Sequence, residues 1–259
     1  MKSFAIATAL VVASAAQADV ISFPNFSNTS GLTLNGDAAV VNSGGSDVLR
    51  LATANAFSAG SVFSDVVVNA RDFYTKFSFR ISSPGGIDDG DGVGADGLAF
   101  VVQSVSNSIG GLGGGLGYAG ISSSVAVGYD TYDNGTESGD NDGNHVEIDS
   151  NGSVNSLAQT PITPRMNDGD VFYSWIAYDG TTLNVWLNSQ DFIPGSPILS
   201  LDIDIAGIIG QDEGYVGFTS ATGSAWGDHD ILSWEYSPNI PAPISAAPLA
   251  ALVLFRRRR

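Results

Sequence analysis

Between Phe73 and Ile81 apolar side chains alternate with polar or amphipathic ones: Phe73, Phe77, Phe79 and Ile81 against Tyr74, Lys76, Ser78 and Arg80. A period of two sends successive side chains to opposite faces, so the segment reads as a strand with one buried and one wet face. Leu183, Val185 and Leu187 alternate in the same way with Thr182, Asn184 and Asn188. The run Val171 to Tyr178 precedes them, and Asp179-Gly180 between the two is a hairpin signal. Val216 to Phe218 and Ile231 to Tyr236 read as closing strands. Gly, Ser, Asn and Asp crowd the connections, and 32 glycines leave little room for helices. No fixed-period repeat appears. The pattern predicts one antiparallel β-sandwich.

Both ends read differently. Met1 and Lys2 open a basic region, Phe4 to Ala16 is apolar, and Ala16-Gln17-Ala18 is a small-x-small cleavage site, which predicts a signal peptide over residues 1–18. The apolar run is shorter than the roughly 20 residues that span a bilayer. At the other end Pro241-Ala242-Pro243 leads into the apolar stretch Ile244 to Phe255 and then Arg256 to Arg259. This tail, residues 240–259, resembles the PEP-CTERM group of sorting signals, which a membrane protease removes. That resemblance implies transient membrane association and a secreted or cell-surface protein of a Gram-negative bacterium. A plain anchor or a disordered tail stays open. The working domain is then residues 19–239, long enough for one sandwich with a sizeable core.

Charge narrows the partners. All 27 acidic residues lie inside that domain, opposed by Arg50, Arg71, Lys76, Arg80 and Arg165, which leaves it 22 negative charges. Such a surface repels phosphate backbones and argues against nucleic acid. It suits hard cations. With no cysteine, the exported fold must be held by its core and by metal rather than by disulfides.

Four segments carry candidate chemistry. Gly94-Ala95-Asp96-Gly97 places one carboxylate at the start of the apolar strand Leu98 to Gln103, where burial demands polar partners. Gly113-Gly114-Gly115-Leu116-Gly117-Tyr118 exposes backbone amides for close approach, as a simple flexible turn also does. After the strand Ser124 to Tyr129, Asp130, Asn134 and Asp140 offer hard oxygens and Tyr132 a carbonyl. Calcium takes six to eight oxygens at about 2.3–2.6 Å, and a solvated acidic loop is the alternative. The fourth segment runs from Val216 through Gly223 to His229 and Trp234. His229 reads as a packing or hydrogen-bonded residue, and Asp88-Asp89-Gly90-Asp91 as a solvated insertion.

In order and spacing these segments resemble the legume-type (L-type) lectins, over Phe23 to Tyr236. The resemblance implies an all-β, concanavalin-like jelly-roll sandwich in a single domain. It also implies a calcium-dependent carbohydrate-binding protein whose partners are glycans or exopolysaccharide, and it leaves room for a homo-oligomer. Residue by residue, Asp96 would follow a cis peptide bond and accept sugar hydroxyls, and Gly114 or Gly115 would donate a backbone N–H. Asn134 would bind calcium and sugar at once. Asp130, the Tyr132 carbonyl and Asp140, or Asp142 in its place, would complete the calcium ligands. The Tyr132 ring would stack on a pyranose, and the loop Gly223 to Asp228, with Ser224 and Trp226, would set sugar preference.

One departure stands out. Plant members carry a glutamate two residues before the Asp130 position, ligating a second, transition metal alongside a histidine. Here Gly128 stands there, although His145 is in place, which puts the second metal in doubt. Glu147 stands where the family has a glycine, on the same strand face as His145. It either restores a carboxylate to the second site, bonds to His145, or points into solvent.

Two rival functions remain. Glycoside hydrolases share this fold and need paired carboxylates. The nearest pattern here is Glu147-Ile148-Asp149 with Gly152 where the third acid is required, so no enzyme is expected. A structural exoprotein that no longer binds sugar is the other, and retention of Asp96, Gly114 and Asn134 argues against it.

Overall fold

The alternation at residues 73–81 has a direct structural counterpart. In the computed structural model, which describes residues 20–110, 115–135, 140 and 142–238, Phe73, Phe77, Phe79 and Ile81 are all buried while Tyr74, Lys76 and Arg80 are half-buried. In chain order the strands are β1 (Ile21–Phe23), β2 (Leu32–Gly36), β3 (Ala39–Ser43), β4 (Ser46–Ala52), β5 (Ala59–Ser64), β6 (Val68–Asn69), β7 (Phe73–Gly85) and β8 (Gly97–Gln103). They continue as β9 (Ser124–Asp130), β10 (His145–Ser150), β11 (Ala158–Pro161), β12 (Val171–Tyr178), β13 (Thr182–Asn188) and β14 (Leu199–Asp202). The short helix α1 (Ile205–Ile209), β15 (Glu213–Ala221) and β16 (Trp226–Ser237) follow.

These strands form two antiparallel sheets. One runs β14-β13-β12-β7-β16-β4-β3, with β1 also on β16; the other runs β11-β10-β9-β8-β15-β5-β2, with β6 also on β15. The architecture is an all-β sandwich of one domain, as expected. The predicted hairpin is present: β12 and β13 pair from Tyr178↔Leu183 outward. Gly180 sits at its tip with φ +93°, and the Asp179 carboxylate accepts the Thr181 and Thr182 amides at 2.9 and 2.8 Å. Among the described residues no helix is long and apolar enough to cross a membrane. The proposed signal peptide lies outside the described residues, as does the tail.

Aromatic side chains from both sheets fill the core. Phe218 packs edge-on against Phe77 at 4.9 Å and against Trp234 at 5.1 Å, and Tyr129 meets Phe79 at 4.9 Å. Each fully buried large apolar side chain removes surface worth roughly 1.5–3 kcal/mol from water. β8 and β9 are buried along their whole length. Leu98, Phe100 and Val102 face the main core, while Ala99 and Val101 lie under a second cluster formed with Leu116, Tyr118 and Ile121. The segment Leu116 to Ile121 thus closes over the outer face of the second sheet. This is why that strand reads as continuously apolar rather than alternating.

Candidate functional site

At one end of the second sheet, β8, β9 and β10 bring the predicted residues together. Asp96 precedes β8, and the Ala95–Asp96 peptide is cis. Gly97 follows with φ +129°, and a Cβ there would stand 2.2 Å from the Tyr129 carbonyl oxygen, so only glycine lets β8 approach β9 this closely. Thr131 N–H donates to the Asp96 carbonyl at 2.9 Å, tying the start of the acidic loop to Asp96. Beneath this segment the fully buried His229 meets Ser220 Oγ through Nδ1 at 2.6 Å, and Ser220 donates onward to the Gly97 carbonyl at 2.8 Å. Burial pushes the His229 imidazole down to about 4. The residue is hydrogen-bonded and enclosed, in keeping with the sequence.

Asp96 is 4% exposed and its Oδ2 has no hydrogen-bond partner. Burial pushes its pKa up to about 7, opposed by the Gly223 amide. Gly223 lies against it: a Cβ there would be 3.3 Å from Oδ2. A buried carboxylate oxygen left without a donor is costly and needs one from outside. Ser224 and Asn134 are exposed nearby in sequence to these segments, and Tyr132 is half-exposed. Gly115 opens a tight turn, accepting the Tyr118 and Ala119 amides at 2.6 and 2.8 Å. Gly114 lies outside the described residues.

The metal-loop residues also converge. Asp130 accepts the Tyr132 amide at 2.8 Å, and Asp140 accepts the amides of Asn134 at 2.7 Å and Asp142 at 3.2 Å. The Asn134 side-chain nitrogen stands 3.2 Å from the Tyr132 carbonyl. Turning that amide over would set two oxygens side by side, an arrangement a cation favours. Burial raises Asp130 well above the usual carboxylate range, and the charges of Glu147, Asp140 and Asp96 raise it further. Asp140 is raised by burial as well. The Asp142 carboxylate turns to the Asn144 amide at 2.8 Å, and of the two alternatives it is Asp140 that acts on Asp130. These oxygens suit a hard divalent cation.

His145 and Glu147 lie on the face of β10 that Val146 and Ile148 do not use. Glu147 is 4% exposed, so it does not point into solvent. His145 Nδ1 bonds to the Asp142 carbonyl at 2.7 Å, and its Nε2 stands 3.5 Å from Glu147 Oε2 without a formed hydrogen bond. Burial lowers the imidazolium, but Glu147, the Asp142 carbonyl and Asp140 more than offset it, and the net shift is upward. Asp149, on the same face, is pushed up to about 9 by burial and by Glu147. Glu147 and Asp149 are enclosed, and Ser156 hydroxyl bonds to Glu147. This pair, the nearest match to a hydrolase pattern, therefore has no open face for a glycosidic bond.

Two contributions were not visible in the sequence. Asp89 is not merely solvated: its carboxylate accepts the Asp133 amide at 2.8 Å and docks the insertion on the acidic loop. Asn144 clamps the loop from the other side, donating to the Ile162 carbonyl at 2.6 Å and accepting from Met166 at 2.9 Å. Both contacts join segments far apart in sequence, where no local spacing signals them.

Known proteins resemble this chain in both sequence and fold. A family profile described as Legume lectin domain matches residues 19–249. The L-type lectin-domain containing receptor kinase VIII.1 of Arabidopsis thaliana is 32% identical over 221 residues, 82% of this chain and 29% of that protein. The receptor kinase V.9 of the same plant is 33% identical over 242 residues, 79% of this chain and 34% of its own length. The chain thus spans about a third of these receptor kinases. Among solved structures, lectin II from Ulex europaeus superposes with a TM-score of 0.72 at 26% identity, covering 86% of this chain and all of its own. Basic winged bean lectin, solved with Tn-antigen, gives 0.70 at 28% identity over 85% and 98% of the two chains. Fold, ordered segments and profile coincide over nearly the whole domain, and the chain belongs to the legume lectin family.

Proposed function

We infer that this protein is an exported, calcium-dependent lectin that binds glycans and catalyses nothing. One observation carries the reading: the buried Asp96 oxygen without a donor, standing beside a loop of hard oxygen ligands. Asp130 and Asp140 would supply carboxylates to calcium, Tyr132 its carbonyl and Asn134 its side-chain oxygen. Bound calcium would neutralise the acids and fix the loop. Asp96 would accept two sugar hydroxyls, Asn134 would donate its amide nitrogen, and a backbone amide of Gly114 or Gly115 would complete the set. Charge-assisted hydrogen bonds of this kind are worth roughly 1.5–3 kcal/mol each.

Export rests on the signal-like residues 1–18, and surface delivery on the PEP-CTERM-like tail. Several similar lectins were solved with galactose-type ligands, among them galactose and GalNAc, so these sugars head the ligands to try. A glycan array probed in calcium and in chelator tests the reading. Binding to a defined glycan class in calcium alone is expected. Binding to nothing would favour a structural exoprotein, and equal binding in chelator would remove calcium from the account.

A further inference from the structure

The β9–β10 ladder sets Glu147 directly opposite Gly128 and His145 opposite Asp130. Residues 128 and 130 share a face of β9, since Tyr129 between them points into the core. Residues 145 and 147 share the matching face of β10. A Cβ on Gly128 would stand 2.6 Å from Glu147 Oε1 and 2.7 Å from its Cγ. The Glu147 side chain therefore fills the space that a side chain at position 128 would occupy.

One donor atom each from Asp130, His145 and Glu147 lies within 4.8 Å of the others, and all three residues are buried. The imidazole is oriented for ligation. Nδ1 engages the Asp142 carbonyl and so carries the proton, which leaves the Nε2 lone pair facing inward. Nε2 belongs to a residue 2% exposed, has no hydrogen-bond partner, and looks toward a carboxylate 3.5 Å away. In the neutral imidazole two lone pairs face one another in a buried space, and a proton or a metal cation between them relieves that opposition. One imidazole nitrogen with carboxylate oxygens suits manganese, cobalt or zinc, whereas calcium takes oxygens alone. Ser156 holds the Glu147 carboxylate in place.

We propose that Glu147 is a ligand of a divalent transition-metal site shared with Asp130 and His145, its carboxylate delivered from β10 instead of from position 128 on β9. The site rests on the metal-loop reading above, because Asp130 serves both. Protein stripped by chelator and restored with calcium is titrated with Co2+ and Mn2+, followed by Co2+ absorption and by metal content after gel filtration. The parent is expected to take up one equivalent beyond calcium. Glu147→Gln, nearly isosteric, should weaken that uptake at least tenfold while the calcium-induced rise in melting temperature persists.

The reciprocal variant carrying Gly128→Glu and Glu147→Gly should recover uptake to within about tenfold of the parent, a rescue that a purely structural glutamate would not allow. It also serves where Glu147→Gln fails to fold. No uptake by the parent, or full uptake by Glu147→Gln, would overturn the proposal. Where calcium still raises the melting temperature in those samples, the relocation alone has failed. Where it does not, the metal loop has failed with it.

Discussion

Two groups of buried acids on the same sandwich solve their charge in opposite ways. Asp230, with its side chain fully buried on β16, meets Arg50 through Nε at 2.7 Å and Nη2 at 3.0 Å, and Arg80 at 3.1 Å. Asp228 adds a contact to Arg50 at 2.9 Å, and hydrogen bonding to Asp230 holds the Arg50 guanidinium above its ordinary pKa. The second group, Asp96, Asp130, Asp140 and Glu147, contains His145 as its basic member, and burial raises the carboxyls of Asp96, Asp130 and Asp140 instead. Where the chain supplies its own cations, the acids are architecture. Where it does not, their charge stays uncompensated, and in the proposed function they serve a cation and a ligand from outside.

Removing the counter-ions of the first group gives the largest expected effect. Asp230→Ala leaves Arg80 without its carboxylate and Arg50 with Asp228 alone, and breaking a buried pair from one side costs about 3–5 kcal/mol. Urea unfolding should register that loss equally in calcium and in chelator. A loss confined to one condition would mean that the two groups are coupled and the contrast is false.

At the second group the effect falls on binding. Asp96→Asn removes the charge that accepts the sugar hydroxyls, so affinity for any glycan hit should drop at least tenfold, about 1.4 kcal/mol, with the melting temperature held or raised. Asn134→Ala should weaken calcium and sugar together. Calorimetric titration of both variants decides this, and an Asp96→Asn protein that binds as the parent does places the site elsewhere.

The smallest expected effect is the pH dependence in chelator. Folded-state pKa values of about 9 for Asp149 and about 7 for Asp96 exceed the ordinary carboxylate value, so the folded chain binds more protons than the unfolded one in this range. Stability without metal should therefore rise as pH falls from 9 to 7, on the order of 1 kcal/mol, with a whole proton giving about 1.4 kcal/mol per pH unit. The raised His145 acts in the same direction. Below about 6.5 the depressed His229 works against it, because the unfolded chain then binds the extra proton. A flat or opposite slope between pH 9 and 7 in chelated unfolding curves would refute the assignment of these acids as uncompensated.

The sequence yielded those parts of the molecule that repeat a local rule. β7 and β13 were legible because one face of each is wet and the apolar side chains alternate. β8 and β9 lack that alternation, since the segment containing Leu116, Tyr118 and Ile121 covers their outer face, and nothing local tells a glycine-rich turn from such a cover. At the candidate site, the family resemblance in order and spacing pointed to Asp96, Asp130, Asn134 and Asp140, and the fold brings the Asp130, Asn134 and Asp140 segments together. The arrangement of His145, Glu147 and Gly128 followed from strand parity and the family pattern together. Charge pairing was not legible: Arg50 and Asp230 stand 180 positions apart, and strand order alone brings them together. The docking of Asp89 on Asp133 was hidden for the same reason.

The most direct test of the contrast is thermal unfolding of the parent protein in chelator and in calcium. A ligand bound only by the native state adds about 2.7 kcal/mol at a hundredfold excess over its Kd, and in a domain of this size each kcal/mol moves Tm by roughly 2–4 °C. The melting temperature is expected to be several degrees lower in chelator and to be restored by calcium more than by magnesium. Superimposable curves in chelator and calcium would contradict it.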